Sequence, residues 1–579
     1  MWSLRLQHLA LLLAFAGCAL SLGSSRFHFK LNQLYEVTVG LETVQGLPLA
    51  LGDFRGTLQT DLLVATGDDQ KTVELWAWQP LLKRFEHQTD LRFDVAVSNV
   101  IPADFNNDGH LDMLVMGSAT AQSPISMWLY VGNGTGFTRS ETLAQAEGSL
   151  PFAFSRDGAT VDLLGAANQT VRVWANNNGV FEPEGFADTA CRPANPHSSA
   201  FVDLNGDCAP DLFIVCEGNE EYQIWTQGAG FTLAQTGKLP SSAGPVSFAD
   251  ISGSGSLDMI IPIVGKPQIY VVYNKQRPIC TGSSTKGGCR RAAMCEADTE
   301  FGFDVAAAHV VDISAMWPGE TMMATVAGKG YVAPPPVRAG DLDLDGYPDL
   351  VFVTKGKSGS QVRILKSVPG SPRAFEPVTK GVGALDHLQA QDVALLDLDG
   401  SGTVDLLIYY LDSRKAPRIS AIYNNFFTDA FFIKAQTSSS IPGSSFKYLL
   451  VSDAGHKHVA QAAQLPQTAY RMLSPPYTIT GIGRTNNYIE DFAVGAGGGT
   501  RSFEGLIPNS HVVVFPSNSS AWRLELFMNR SESTPYILAT LLSSMLVLAI
   551  TVFALGALER KADRREKERA LHSINFDAL

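Results

Sequence analysis

Four stretches of this chain place oxygen-bearing side chains at alternate positions. They are Asp104, Asn106, Asp108 and Asp112; Asp203, Asn205, Asp207 and Asp211; Asp341, Asp343, Asp345 and Asp349; and Asp397, Asp399, Ser401 and Asp405. Oxygens at loop positions 1, 3 and 5 converge on one point, and Gly109, Gly346 and Gly402 at position 6 permit the sharp turn. The backbone carbonyl of residue 7 (His110, Ala209, Tyr347 or Thr403) adds a ligand, and the aspartate at position 9 closes the cage. Such a set suits calcium, which takes roughly six to eight hard oxygens, better than magnesium with its near-ideal octahedron. An EF-hand would require a bidentate Glu at position 12, where Val115, Ile214, Phe352 and Ile408 stand instead. Asp, Asn and Gly also form metal-free turns. Recurrence in phase with a longer repeat favours metal, and the expectation is about four structural Ca2+ sites.

Three weaker copies share the phase. Asp53, Arg55, Thr57 and Asp61 put a cation where a ligand belongs, so Arg55 substitutes for the charge of the ion. Another copy has Phe154 at position 1 and is expected to bind no metal. In a further one, Asp250, Ser252, Ser254 and Asp258 keep a carboxylate at each end with hydroxyls between, a weak metal candidate. Cys208 occupies the glycine position of its loop, which strains a turn needing positive φ and suggests a disulfide there.

Each closing aspartate is followed by an apolar, strand-forming run, as in Asp61-Leu62-Leu63-Val64 and Asp405-Leu406-Leu407-Ile408. The runs recur at about 50 residues, except for one gap of about 90 between Asp258 and Asp349, and such a period with glycine turns signals a β-propeller of four-stranded blades. Cys280 to Cys295 lie in that gap, which reads as an insertion in one blade rather than as an eighth blade. The expectation is an all-β chain with a seven-bladed propeller over residues 27–425. Residues 426–530 then alternate apolar and polar positions, as in His511–Phe515 and Trp522–Leu526, and suit a β-sandwich-like stalk.

Apolar residues make up 45% of the chain and charged residues 17%, too apolar for disorder, while 52 Gly and 30 Pro argue against a helical bundle. The net charge of −13 repels phosphate backbones and disfavours nucleic-acid partners. Residues 1–23, with Arg5 before an apolar run and small residues at the end, read as a secretory signal peptide. Residues 536–558 carry no charge and are long enough to cross a bilayer, and the basic residues from Arg560 to Arg569 fall in a cytoplasmic tail, residues 559–579, by the positive-inside rule. A single-pass type I protein is expected, its ectodomain extracellular or lumenal. Without Cys18, six cysteines remain: Cys191, Cys208, Cys216, Cys280, Cys289 and Cys295. An even number in an oxidising compartment implies disulfides, and with three in each neighbourhood at least one bridge must cross between them or two thiols stay free. Sequons at Asn133, Asn168, Asn518 and Asn529 fit the same compartment.

Nucleophile-elbow, zinc-protease and P-loop motifs are missing from the sequence, and its 11 histidines are scattered singly, so a non-enzymatic binding protein is the leading expectation. A carbohydrate- or lipid-processing ectoenzyme and an integrin-like adhesion subunit are the alternatives. The repeat resembles the FG-GAP repeats of integrin α-subunit heads. Asn424-Asn425-Phe426, Gly481-Ile482-Gly483-Arg484, Ile507-Pro508-Asn509-Ser510 and the ending Phe576-Asp577-Ala578 further resemble the T-cell immunomodulatory protein family. That resemblance implies a surface glycoprotein with a secreted or shed ectodomain, an extracellular protein partner and a role in modulating T cells.

Overall fold

The computed structural model describes residues 32–574 apart from 121–122, 159, 281–288, 291–292, 327–332, 369, 371–372, 427–428, 439–440, 452–456, 466–472, 485–487, 517–520 and 528–529. The expected signal peptide and the sequons at Asn518 and Asn529 lie outside the described residues, whereas Asn133 and Asn168 are exposed on turns.

Each closing aspartate of the repeat is the first residue of a buried strand: Asp61–Thr66, Asp112–Ser118, Asp162–Ala167, Asp211–Val215, Asp258–Ile263, Asp349–Gly356 and Asp405–Leu411. These are the second strands of seven antiparallel sheets, the blades. Their apolar runs show no alternation because neighbouring blades cover both faces. One apolar core lies between each consecutive pair of blades. Leu63 of blade 1 meets Met113 of blade 2, Leu114 meets Leu163 of blade 3, and Leu164 meets Leu212 of blade 4. Further round, Phe213 meets Met259 of blade 5, Ile260 meets Leu350 of blade 6, Val351 meets Leu406 of blade 7, and Leu407 returns to Leu62. The ring is closed by strand exchange as well, since Gln33–Val37 pairs antiparallel with Pro417–Asn425 and forms the outer strand of blade 7.

The long interval holds the expected insertion. It separates Gln268–Val272 from His309–Asp312, the third and fourth strands of blade 5. Beyond blade 5, Met323 joins the core of blades 6 and 7, Val326 that of blades 1 and 2, and Ala333 that of blades 2 and 3. Two disulfides are local, Cys191–Cys216 and Cys280–Cys289, and Cys208–Cys295 is the crossing bridge. Cys208 has φ 68°, the left-handed turn expected at a glycine position.

After the propeller, Phe431–Thr437, Thr478–Gly483, Ser510–Phe515 and Arg523–Phe527 form one sheet, and Ser445–Val451, Lys457–Ala463, Ile489–Ala496 and Gly499–Leu506 the other. Ile433, Phe446, Tyr448, Phe492, Val512 and Val514 fill the space between them, so this is a β-sandwich. A separate helix, Arg530–Ile574, contains an apolar stretch long enough to cross a membrane.

Candidate metal centres

The seven candidate loops all join the first and second strands of a blade, so they lie together on one face of the ring. The aspartate at position 9 has the same work in every blade. One of its oxygens accepts a backbone N–H from the third strand's end: Trp78, Gly132, Asn176, Gln227, Asn274, Ser367 or Asn424, at 2.8 to 3.2 Å. In six blades the other oxygen accepts an N–H of the loop itself, such as Phe105, Leu204 or Leu342. This residue therefore staples loop to blade with or without a metal. It recurs even where the rest of the motif is lost.

Blades 1 and 3 carry their own cation. The Arg55 guanidinium donates to both oxygens of Asp61 and to the Trp78 carbonyl. Arg156 stands at the same loop position and donates to Asp162 at 2.9 Å and to Glu184 at 2.8 Å. Arg55 was legible in the sequence as a substitute for the ion. Arg156 escapes sequence reasoning because Phe154 occupies position 1 of its loop, although its spacing to Asp162 equals that of Arg55 to Asp61.

Among the described residues, blades 6 and 7 gather acidic oxygens most closely: those of Asp341, Asp343 and Asp345, and those of Asp397, Asp399 and Asp405, each lie within 4.8 Å of one another. Asp343 Oδ1 and Asp397 Oδ1 are buried without a hydrogen-bond partner. An orphaned oxygen on a carboxylate that belongs to an acidic cluster fits a hard cation, although Lys366 and Lys434 already hold the second oxygen of Asp343 and of Asp397. In blades 2 and 4 the position-3 residue is an amide, and Asn106 and Asn205 each donate to the position-5 aspartate, Asp108 or Asp207. Burial, with Asp203 and Asp207 close by, pushes Asp211 well above the usual carboxylate range. Asp341 and Asp405 are raised in the same way by burial and by neighbouring aspartates. Burial lifts Asp112 to about 6 and Asp349 to about 7. A divalent ion among these groups would reverse that direction. In blade 5 the hydroxyls satisfy one another, Ser252 to Ser254 at 2.9 Å and Ser254 to Ser256 at 2.7 Å, while burial lifts Asp250 to about 6 and Asp258 to about 7.

The sandwich covers this face, which the expected stalk did not anticipate. Along Ser445–Val451 the side chains alternate, Phe446 and Tyr448 into the sandwich core and Lys447 toward blade 4. Lys447 is fully buried, donates to the Gly206 and Met294 carbonyls, and lies 3.8 Å from Asp203 Oδ2. Ser445 and Gln461 donate to the same oxygen. The Gln461 backbone N–H donates to Asp250 in blade 5. On the other sheet, Lys434 donates to Asp397 Oδ2 at 3.0 Å and sits over the Tyr477 ring. Two glycines allow the approach: a Cβ on Gly495 would fall 1.9 Å from the Cys208 carbonyl, and one on Gly481 would fall 2.1 Å from Asp341 Oδ2. No motif marked Lys434 or Lys447 beforehand, and their only signal was a lysine within an apolar strand run.

Residues 436–527 match the family model described as ITFG1, C2 domain. The human T-cell immunomodulatory protein (Homo sapiens) is 25% identical, with 94% of this chain and 95% of that protein covered. A Plasmodium falciparum protein named T-cell immunomodulatory protein homolog is also 25% identical, over 94% of this chain and 89% of its own length. Protein linkin of Caenorhabditis elegans is 20% identical over 92% and 85%. Over nearly its whole length, then, this chain is similar to the T-cell immunomodulatory protein family.

Proposed function

We propose that this protein is a non-enzymatic, single-pass cell-surface glycoprotein whose propeller presents a rigid surface to an extracellular protein partner. Its role is the modulation of T-cell function named for its relatives. In this reading the signal peptide directs the ectodomain outward, and the helix Arg530–Ile574 anchors it. Calcium in the loops of blades 2, 4, 6 and 7 holds each loop's carboxylates together and is structural. The observation that carries the metal reading is the buried, unpartnered Oδ1 of Asp397 beside Asp399 and Asp405.

Blades 1 and 3 support a structural role for the cation. There an arginine takes the same place, and an arginine has no open coordination position for a substrate. The reading is tested by presenting the ectodomain, propeller and sandwich together, to an array of cell-surface receptors and glycans. Saturable binding to a protein receptor is expected. Turnover of a glycan or lipid without any receptor binding would favour the ectoenzyme instead.

A further inference from the structure

In blades 4 and 7 the two oxygens of the loop's first aspartate have different surroundings. In blade 7, Asp397 Oδ1 is buried and unpartnered, while Oδ2 accepts from the Gly402 N–H and from Lys434. In blade 4, Asp203 Oδ1 accepts from the Gly206 N–H inside the loop. Its Oδ2 faces the sandwich and takes Ser445 and Gln461, with Lys447 close behind. In both blades the loop also donates to Oδ2, through the Gly402 or Cys208 N–H, but the sandwich reaches only this outward oxygen, and Oδ1 is the inward one.

We propose that Lys434 and Lys447 tune the calcium affinity of the blade 7 and blade 4 loops, so that calcium loading and the docking of the sandwich oppose each other. The inference rests on the calcium reading above. Asp203 and Asp397 have no exposed side-chain surface, and Lys447 and Lys434 are 0% and 8% exposed, so the ammonium groups act on the loops with little solvent screening. A lysine at the outward oxygen offsets part of the loop's negative charge and repels a divalent ion at the inward one. Linkage makes the effect reciprocal: the ion weakens the hold of the lysine, and with it the grip of the sandwich on the ring. Both lysines come from the sandwich, so the coupling runs between domains, unlike the fixed arginines of blades 1 and 3. The blade 2 loop provides the internal reference. Across a cavity of about 390 Å³ it faces Ser438, Ile441, Pro442 and Pro516, none of them charged.

The test is calcium titration calorimetry on the full-length protein in detergent, comparing wild type with Lys434→Met, Lys447→Met and the charge-retaining Lys434→Arg and Lys447→Arg. Each methionine variant is expected to tighten one calcium site by at least about fivefold, and each arginine variant to stay within about twofold of wild type. In wild type, calcium should speed amide hydrogen exchange in Phe431–Thr437 and Ser445–Val451. Methionine variants with wild-type isotherms would overturn this inference and leave the calcium reading intact. An absence of calcium binding by wild type would overturn both. If the methionine variants do not fold, the exchange measurement on wild type decides: unchanged or slower exchange in both strands on adding calcium overturns the proposal.

Discussion

At the scale of single residues, the loops show how a buried carboxylate is balanced. Asp61 is fully buried, which raises it to about 6 even though Arg55 opposes the shift. Replacing Arg55 by Met removes the cation and leaves the carboxylate under-satisfied, with an expected loss of about 1 to 3 kcal/mol. Calcium should not restore that loss, because the loop's only other carboxylate, Asp53, already accepts the Thr57 and Leu58 N–H groups and no acidic ligand stands between it and Asp61; urea denaturation with and without calcium checks both statements. His197 illustrates the opposite sign. Ser199 N–H donates to its Nδ1, so Nε2 carries the proton donated to the Leu150 carbonyl at 2.7 Å, and burial lowers the imidazole from 6.5 to about 4. Between those values the unfolded chain takes up a proton that the folded one refuses, so this contribution is complete above pH 6.5 and is lost as pH falls toward 4. His197→Gln should flatten the fall in stability over that window by up to about 1.4 kcal/mol per pH unit. Equal slopes in denaturant melts at several pH values would show that His197 is not held neutral.

At the scale of elements, the second strand of every blade was visible as an aspartate followed by apolar residues, because a strand covered on both faces has no polar positions to interrupt it. First strands as short as Phe152–Phe154 and Ala200–Val202 were not visible. They are defined by pairing with the strand that follows, and three residues carry no period of their own. The closing strand Gln33–Val37 was equally hidden, since its partner Pro417–Asn425 lies at the far end of the propeller sequence. Its Leu34 is buried in the core between blades 6 and 7. Deleting Gln33–Val37 should leave an unpaired edge on blade 7 and lower the melting midpoint by several degrees. Calorimetry checks this, and an unchanged midpoint would mean that the shared core of blades 7 and 1 closes the ring unaided.

At the scale of the whole molecule, propeller and sandwich share a buried polar interface, so their stabilities are linked. Calcium that binds the folded loops and not the unfolded chain stabilises by about 2.7 kcal/mol at a hundredfold excess over Kd. Chelation should therefore lower the melting temperature of the ectodomain, read by scanning calorimetry across a calcium series. A midpoint indifferent to calcium at any concentration would remove the metal from the account of stability.

The sequence by itself determined the repeat, the acidic loops and the helix able to cross a membrane; it favoured seven blades over eight and left the six cysteines with either a crossing bridge or two free thiols. Each of these is written locally, in spacing, apolar run length or parity of cysteines. Tertiary structure alone decided which domain covers the loop face and which side chains neutralise it. Lys447 and Asp203 are hundreds of residues apart in the chain and 3.8 Å apart in the fold. A lysine in an apolar strand run reads as a solvated position until the surface it faces is known, and only the docking of the sandwich supplies the buried carboxylate that gives it a role.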